Sequence, residues 1–287
     1  MKNRQTYTLF TFFTLYIAQS IPMSFFSSAL PVLMRQGAYS LLAIALLKLI
    51  KIPWLIKFLW SPIVDSRTES LKDYKQWIFG AEVIYAIIIF IVATLSIEAD
   101  FTLIIILIIL AFISSATQDI ATDAMAARSF DRKDTSLLNS IQSMGSFTGS
   151  MVGGGFLLLL FHKFGWNSLL PWVAIFVLMA LIPLFFIKKI KLRERKVKQK
   201  AKPKDMLLFF NQKNIWRQVV FLLLYYAGLI GILSNLSPFL VDIGYDIKEI
   251  GGIVGIFGVS FGILCAFISG IYIRKIGKSL SRKIISF

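Results

Sequence analysis

The sequence predicts an all-α, polytopic membrane protein, and three observations carry that prediction. Hydrophobic residues make up 57% of the 287, and the mean hydropathy is +0.75, more apolar character than a soluble domain can hide in its core. Apolar runs of spanning length recur along the chain, each able to cross the ~30 Å of bilayer hydrocarbon as a helix. The 31 Lys and Arg collect in alternate connections between those runs.

Span 1 covers about Tyr7 to Leu33 and carries Gln19, Ser20, Pro22, Ser24, Ser27 and Ser28. That polar content keeps it from facing lipid all round, and Pro22 is expected to kink it. Span 2, about Leu41 to Trp60, holds Lys48 and Lys51, and Pro62 is expected to stop it at the cytoplasmic face. Span 3 runs from about Gln76 to Ile97 and contains Glu82. Span 4, about Phe101 to Met125, ends in the most polar membrane segment of the chain. Span 5, about Leu137 to Phe161, has Gly145, Gly149 and Gly153 four apart, a smooth face for close helix approach. Span 6 is about Leu169 to Ile187. Beyond it come a short amphipathic piece at Met206 to Phe210, span 7 (about Ile215 to Phe239) and span 8 (about Ile250 to Ile273).

The stretch Lys188 to Lys204 is the pivot, with ten Lys or Arg in seventeen residues and Glu194 its lone acid. A block this basic stays on the cytoplasmic side of a bilayer. With that side fixed, the N-terminus and the connections on its side hold 26 Lys and Arg, while the opposite loops hold Arg35, Lys163 and Lys248. The bias places the N-terminus in the cytoplasm. The expected divisions are a six-helix bundle at 1–187, a basic linker at 188–205 and the start of a second bundle at 206–287.

The net charge of +16 would suggest nucleic acid in a soluble chain, but these charges follow topology instead of forming a face. One cysteine, Cys265, supports neither a disulfide framework nor a cysteine metal site. No nucleophile–base or metal-ligand spacing appears, so neither an enzyme nor a cofactor is expected. The Gly277–Ser279 tripeptide mimics the end of a phosphate-binding loop, yet Tyr272 stands where that loop needs glycine. His162 reads as an interfacial residue of an outer loop. Trp54, Trp60, Trp77 and Trp166 fall near the expected interfaces and read as aromatic-belt residues.

An ionisable residue near the centre of a spanning helix costs roughly 2.5–3.5 kcal/mol by insertion scales, so such residues are candidates for a solute or ion pathway. Asp119 and Asp123 lie four apart on span 4, on one side with Ser115, Gln118 and Thr122. Counting ~1.5 Å per residue puts Asp119 and Glu82 about 9 Å deep and Lys51 about 14 Å deep, within mutual reach across spans 2, 3 and 4. Lys48 lies about 12 Å from the outer end by the same count, deeper than a lysine easily snorkels. Gln19 adds a polar group from span 1. A structural salt-bridge network is the plainer alternative for this cluster. Lys57 and Asp65 sit close enough to the cytoplasmic face to suit a surface role equally well.

Six spans, a long basic linker and a second set of spans resemble the major facilitator superfamily. Ser115 to Ala124 (SATQDIATDA), Lys57 to Asp65 (KFLWSPIVD) and the stretch from Gly153 to Trp166 resemble its AmpG-like permease branch of muropeptide and siderophore importers and acetyl-CoA transporter relatives. The resemblance implies two pseudo-symmetric helix bundles around a central cavity and alternating access. It also implies pathway acids at Asp119 and Asp123 and a gating segment at Lys57, Trp60, Ser61, Pro62 and Asp65. The superfamily's loop signature is matched after span 8 by Gly270, Arg274, Lys275, Gly277 and Lys278, with Arg274 where an Asp is usual. Against a twelve-span transporter the chain stops where span 9 should start, as a C-terminally truncated or split relative would.

The expected function is that of a bacterial inner-membrane secondary importer, proton-coupled, for a medium-sized solute such as an anhydro-muropeptide. A siderophore importer and a non-transporting fragment or scaffold are the alternatives. The expected partners are the solute, protons, the lipid bilayer and a missing C-terminal half, with no nucleic acid.

Overall fold

The computed structural model describes residues 2–36, 47–131, 134–187, 211–212, 214–244 and 257–276, with single positions at 40, 42, 190, 192, 193 and 208. Every regular element among them is helical. Span 1 is α1 (Lys2–Gln36), which runs unbroken through Pro22 and Pro31.

Span 2 departs from the expected single helix. A 3₁₀ turn at Leu47–Lys51 leads into α2 (Ile52–Ile56), a second 3₁₀ turn at Lys57–Leu59 and then α3 (Ser61–Ser66). Pro53 and Pro62 each sit in the first turn of the short helix they enter, where the missing amide hydrogen has no intrahelical partner to lose. Pro62 thus starts α3 instead of stopping span 2, and Ser61, Pro62 and Asp65 lie in a helix, not in a loop.

Spans 3 and 4 are α4 (Leu71–Thr94) and α5 (Phe101–Ser129). α4 opens on a capping box. The Ser70 hydroxyl accepts from the Asp73 amide at 3.3 Å, while Asp73 Oδ2 accepts from the Ser70 and Glu69 amides at 2.8 and 3.0 Å. Span 5 is α6 (Thr135–Ser150), a π-helical stretch at Met151–Phe156 and α7 (Leu157–Phe164). Gly165, at φ +75, turns the chain into α8 (Trp166–Met179), a conformation that favours glycine. Span 6 is completed by α9 (Ile182–Phe186), and spans 7 and 8 are α10 (Ile215–Asp242) and α11 (Val259–Ile276). Among the described residues, Thr6–Pro31, Leu71–Thr94, Phe101–Ser129 and Trp166–Phe186 are long and apolar enough to cross a membrane, and Ile215–Gly228 and Val259–Ile273 are shorter apolar helices.

The glycine face of α6 docks on α1. A Cβ built at Gly145 would stand 2.7 Å from Tyr16 Cβ, at Gly149 2.5 Å from Ser20 Cβ, and at Gly153 2.1 Å from the Ile21 carbonyl oxygen. None of these separations is tolerable, so the seam requires residues without a side chain. Gly270 meets the other side of α6 in the same way, with its notional Cβ 2.0 Å from Ser140 Oγ. It is therefore a buried helix-contact position within α11 and lies in a helix, not in a loop. The helix continues past it, with Ile271, Tyr272 and Ile273 extending the apolar run before Arg274 and Lys275.

Two apolar cores form between the helices. One gathers Phe25, Phe26, Tyr85, Ile89, Ile108, Phe112 and Trp166, and the other Phe12, Tyr16, Val64, Tyr74, Ile78, Ala121 and Met125. Trp166 is buried in the first core and donates from Nε1 to the Val92 carbonyl at 3.1 Å, so it is a core residue instead of a belt residue. Along α1, α4 and α5 buried polar residues lie between the two cores, interspersed with Ala18, Ile21, Ala81 and Ala116: Gln19 and Ser20, Glu82, and Ser114, Ser115, Gln118 and Asp119. This polar layer separates the cores and defines the site.

Candidate functional site

The layer is held together by α5. Asp119 and Asp123 lie one turn apart and take partners from three other elements. Gln19 of α1 donates from Nε2 to Asp119 Oδ1 at 2.9 Å, and Lys57 forms an ion pair with Asp119 Oδ2. Tyr16, one turn before Gln19, donates its hydroxyl to Asp123 Oδ1 at 2.8 Å, and Gln142 Nε2 of α6 donates to the same oxygen at 3.3 Å. The Lys57 ammonium also stands 5.2 Å from the centroid of the Trp54 ring, within cation–π range.

Charge is unevenly distributed over this arrangement. Asp119 is buried, 2% exposed, and has a cation; Asp123 is half-buried, and its hydrogen-bond donors are the neutral Tyr16 and Gln142. A hydroxyl can donate to a carboxylate or accept from a carboxylic acid. The Tyr16 contact is therefore compatible with either state of Asp123. Lys57, 30% exposed at its side chain, is the flexible member, since an ammonium on a four-carbon stem can move between acceptors.

The position of Lys57 corrects the interfacial depth expected for it. Trp54 packs on one core and Trp60 on the other, so Lys57 between them is level with the polar layer. Span 2 extends beyond Trp60 through α3, which leaves Lys57 nine residues inside the Ser66 end. The Trp60 indole donates to Thr117 Oγ1 at 3.1 Å and pins this segment against α5.

Not all the expected residues meet. Glu82 is fully buried, but neither carboxylate oxygen has a hydrogen-bond partner among the described residues; Ser115 and Gln118 are buried in the same layer, and Tyr85 lies at the edge of the first core. Glu82 is thus in the layer and outside the ion-pair network. Lys51 is exposed in the first 3₁₀ turn, and the cation at Asp119 is Lys57 in its place. The side chains of Lys48 and Arg274, and Gly277 and Lys278 entirely, lie outside the described residues, as do the side chain of His162 and most of the basic linker. Asp65 is half-buried in α3.

Two partners, Tyr16 and Gln142, were not singled out in the sequence. Each had a positional signal. Tyr16 lies three residues before Gln19, and Gln142 three before Gly145, so each shares a helix face with a residue already marked. A third connection ties the linker to the bundle. Arg128, in the last turn of α5, donates to the Glu69 carbonyl at 3.0 Å and from Nε to the Arg193 carbonyl at 3.0 Å, while Arg193 Nη2 donates to the Ala127 carbonyl at 2.9 Å.

Ionisable side chains buried between two apolar cores of a multi-span helical protein are where a solute or ion pathway is expected. The Major Facilitator Superfamily profile matches residues 8–287, and the chain belongs to that superfamily. It is similar to the "Putative transporter AmpG 4" of Rickettsia conorii, 24% identical over 94% of this chain and 69% of that protein. It is also similar to the "Anhydromuropeptide permease" of Escherichia coli K12, 24% identical over 94% of this chain and 56% of that one. An "Uncharacterized protein" of Haemophilus influenzae is 24% identical over 90% of the chain and 62% of its own length. The chain therefore spans between 56% and 69% of the length of these relatives, and it is a multi-pass membrane transporter by family.

Proposed function

We propose that the chain serves an inner-membrane importer that carries a medium-sized polar solute of the anhydromuropeptide type by alternating access, driven by protons. The observation that carries this reading is the pair Asp119 and Asp123, one turn apart on α5, the first buried and paired with Lys57 and the second half-buried and held by Tyr16 and Gln142. In one state Lys57 holds Asp119 while Asp123 is held by Tyr16 and Gln142. A proton arriving at either carboxylate redistributes the lysine and loosens the contact between span 2 and span 4. Each charge carried across ~100 mV contributes about 2.3 kcal/mol toward accumulation.

The name of the Escherichia coli relative, an anhydromuropeptide permease, supports a muropeptide over a siderophore as the solute. The greater length of the relatives supports a further part of the reading, a C-terminal set of helices that closes the cavity from the same or a second polypeptide. The basic linker and the N-terminus are cytoplasmic in this reading.

The test is uptake of labelled anhydromuropeptide into inverted and right-side-out vesicles carrying the protein, with Asp119→Asn and Asp123→Asn beside the parent. At least one variant loses accumulation against a gradient while remaining folded in the membrane. Accumulation by both variants, together with a parent indifferent to a protonophore, would leave the layer as a packing device only.

A further inference from the structure

A groove of about 630 Å³ runs along α4 and α5, bordering the polar layer at Ser114 and without Asp119, Asp123 or Lys57 in its lining. Its walls are Ile84, Ile88, Leu110 and Ile113, and its floor is Gly80, Ala81 and Ser114. The polar groups of the floor are spent on the fold. Ser114 Oγ donates to the Ala81 carbonyl at 2.7 Å, and Thr117, which also borders the groove, accepts from Trp60. Gly80 borders open space, since a Cβ there would meet nothing within 4 Å.

One end of the groove is polar, formed by Arg67, Asp73, Gln76 and Trp77. Of its two charges, Asp73 is committed to the capping box through the Glu69 and Ser70 amides. Arg67 follows α3, is exposed, and makes no side-chain hydrogen bond or ion pair among the described residues. From Gln76 to Ile88 the groove spans about 18 Å of helix, close to the half-thickness of ~30 Å of hydrocarbon. An apolar channel one leaflet long, with a free guanidinium at its interfacial mouth, matches an acyl chain below a phosphate.

We propose that this groove seats an acyl chain of an anionic phospholipid, with Arg67 on its phosphate, in the leaflet that is cytoplasmic under the topology read from the basic residues. Lipids with a neutral headgroup fit the channel equally well but gain nothing from Arg67. The expected preference is about fivefold, the contribution of one basic side chain at a membrane surface.

Native mass spectrometry of the chain in detergent, titrated with phosphatidylglycerol or phosphatidylcholine of identical acyl chains, reads the preference directly. The parent carries phosphatidylglycerol about fivefold more at equal concentration. Arg67→Gln brings that level down to the phosphatidylcholine level, and Gly80→Leu, which fills the channel, lowers both. Ile113→Trp blocks the same channel from an exposed position if Gly80→Leu yields no folded protein. Equal binding of the two lipids by the parent overturns the proposal, as does a preference that survives Arg67→Gln or binding unchanged in the blocked variant. Glycerol phosphate leaves the lipid in place; its displacing the lipid at matched concentration would make this a small-anion site and sink the lipid reading.

Discussion

Lys57 and Asp119 are 62 residues apart in the chain and form an ion pair in the layer between two apolar cores. The pair joins the broken span 2 to the long, regular α5. Because Asp119 is buried while Lys57 is partly exposed, the two ends of the pair are not equivalent. Removing the lysine strands a carboxylate, whereas removing the acid leaves an ammonium that can reach water.

Lys57→Gln therefore lowers the stability of the folded protein more than Asp119→Asn does. A buried pair broken on one side costs about 3–5 kcal/mol, and the exposure of Lys57 brings the expectation for Lys57→Gln to roughly 2–3 kcal/mol. The double variant Lys57→Gln, Asp119→Asn recovers most of that loss. Detergent melting curves of the four proteins form the cycle, and a double variant no better than Lys57→Gln would contradict the pairing.

Gly149→Leu destabilises by overpacking the α1–α6 seam, by about 1–3 kcal/mol or more because the neighbour at 2.5 Å is Ser20 Cβ and backbone lies just beyond. Gly155→Ala is the control, since a Cβ there meets nothing within 4 Å. It leaves the melting temperature unchanged or raises it. Equal melting of Gly149→Leu and the parent would show that the helices do not approach so closely.

Glu82→Gln separates the buried carboxyl of α4 from the network. Glu82 has no hydrogen-bond partner among the described residues and no part in the Lys57 pair, so the isosteric amide keeps accumulation at the parent level. Tyr16→Phe removes a donor to Asp123 worth about 1.4 kcal/mol, which corresponds to a roughly tenfold loss of coupled uptake. A reversed ranking in the same vesicle assay would place the proton pathway through Glu82.

The cytoplasmic assignment of the linker is open to single-cysteine labelling in a Cys265→Ser background, the replaced thiol being exposed in α11. Arg195→Cys stays unlabelled by an impermeant reagent added to intact cells, and His162→Cys reacts. The opposite pattern inverts the topology.

Apolar length, basic loops and in-span acids were enough to read the helical membrane class from the sequence, because hydrocarbon requires ~20 apolar residues per crossing and excludes charge clusters. The spacing of Gly145, Gly149 and Gly153 marked a contact face, since residues four apart share one side of a helix. Asp119 and Asp123 were legible for the same reason. The sequence could not say which lysine would face them, because pairing across helices depends on rise and register. Span 2, taken as straight, brought Lys51 to the acids; folded around Pro53 and Pro62 into 3₁₀ and α segments, it brings Lys57. The isolation of Glu82, the helical setting of Gly270 and the core position of Trp166 were likewise set by packing between helices. One-dimensional hydropathy fixes which residues lie in the membrane, whereas the neighbours they meet are decided by how the helices break and where their backbones can touch.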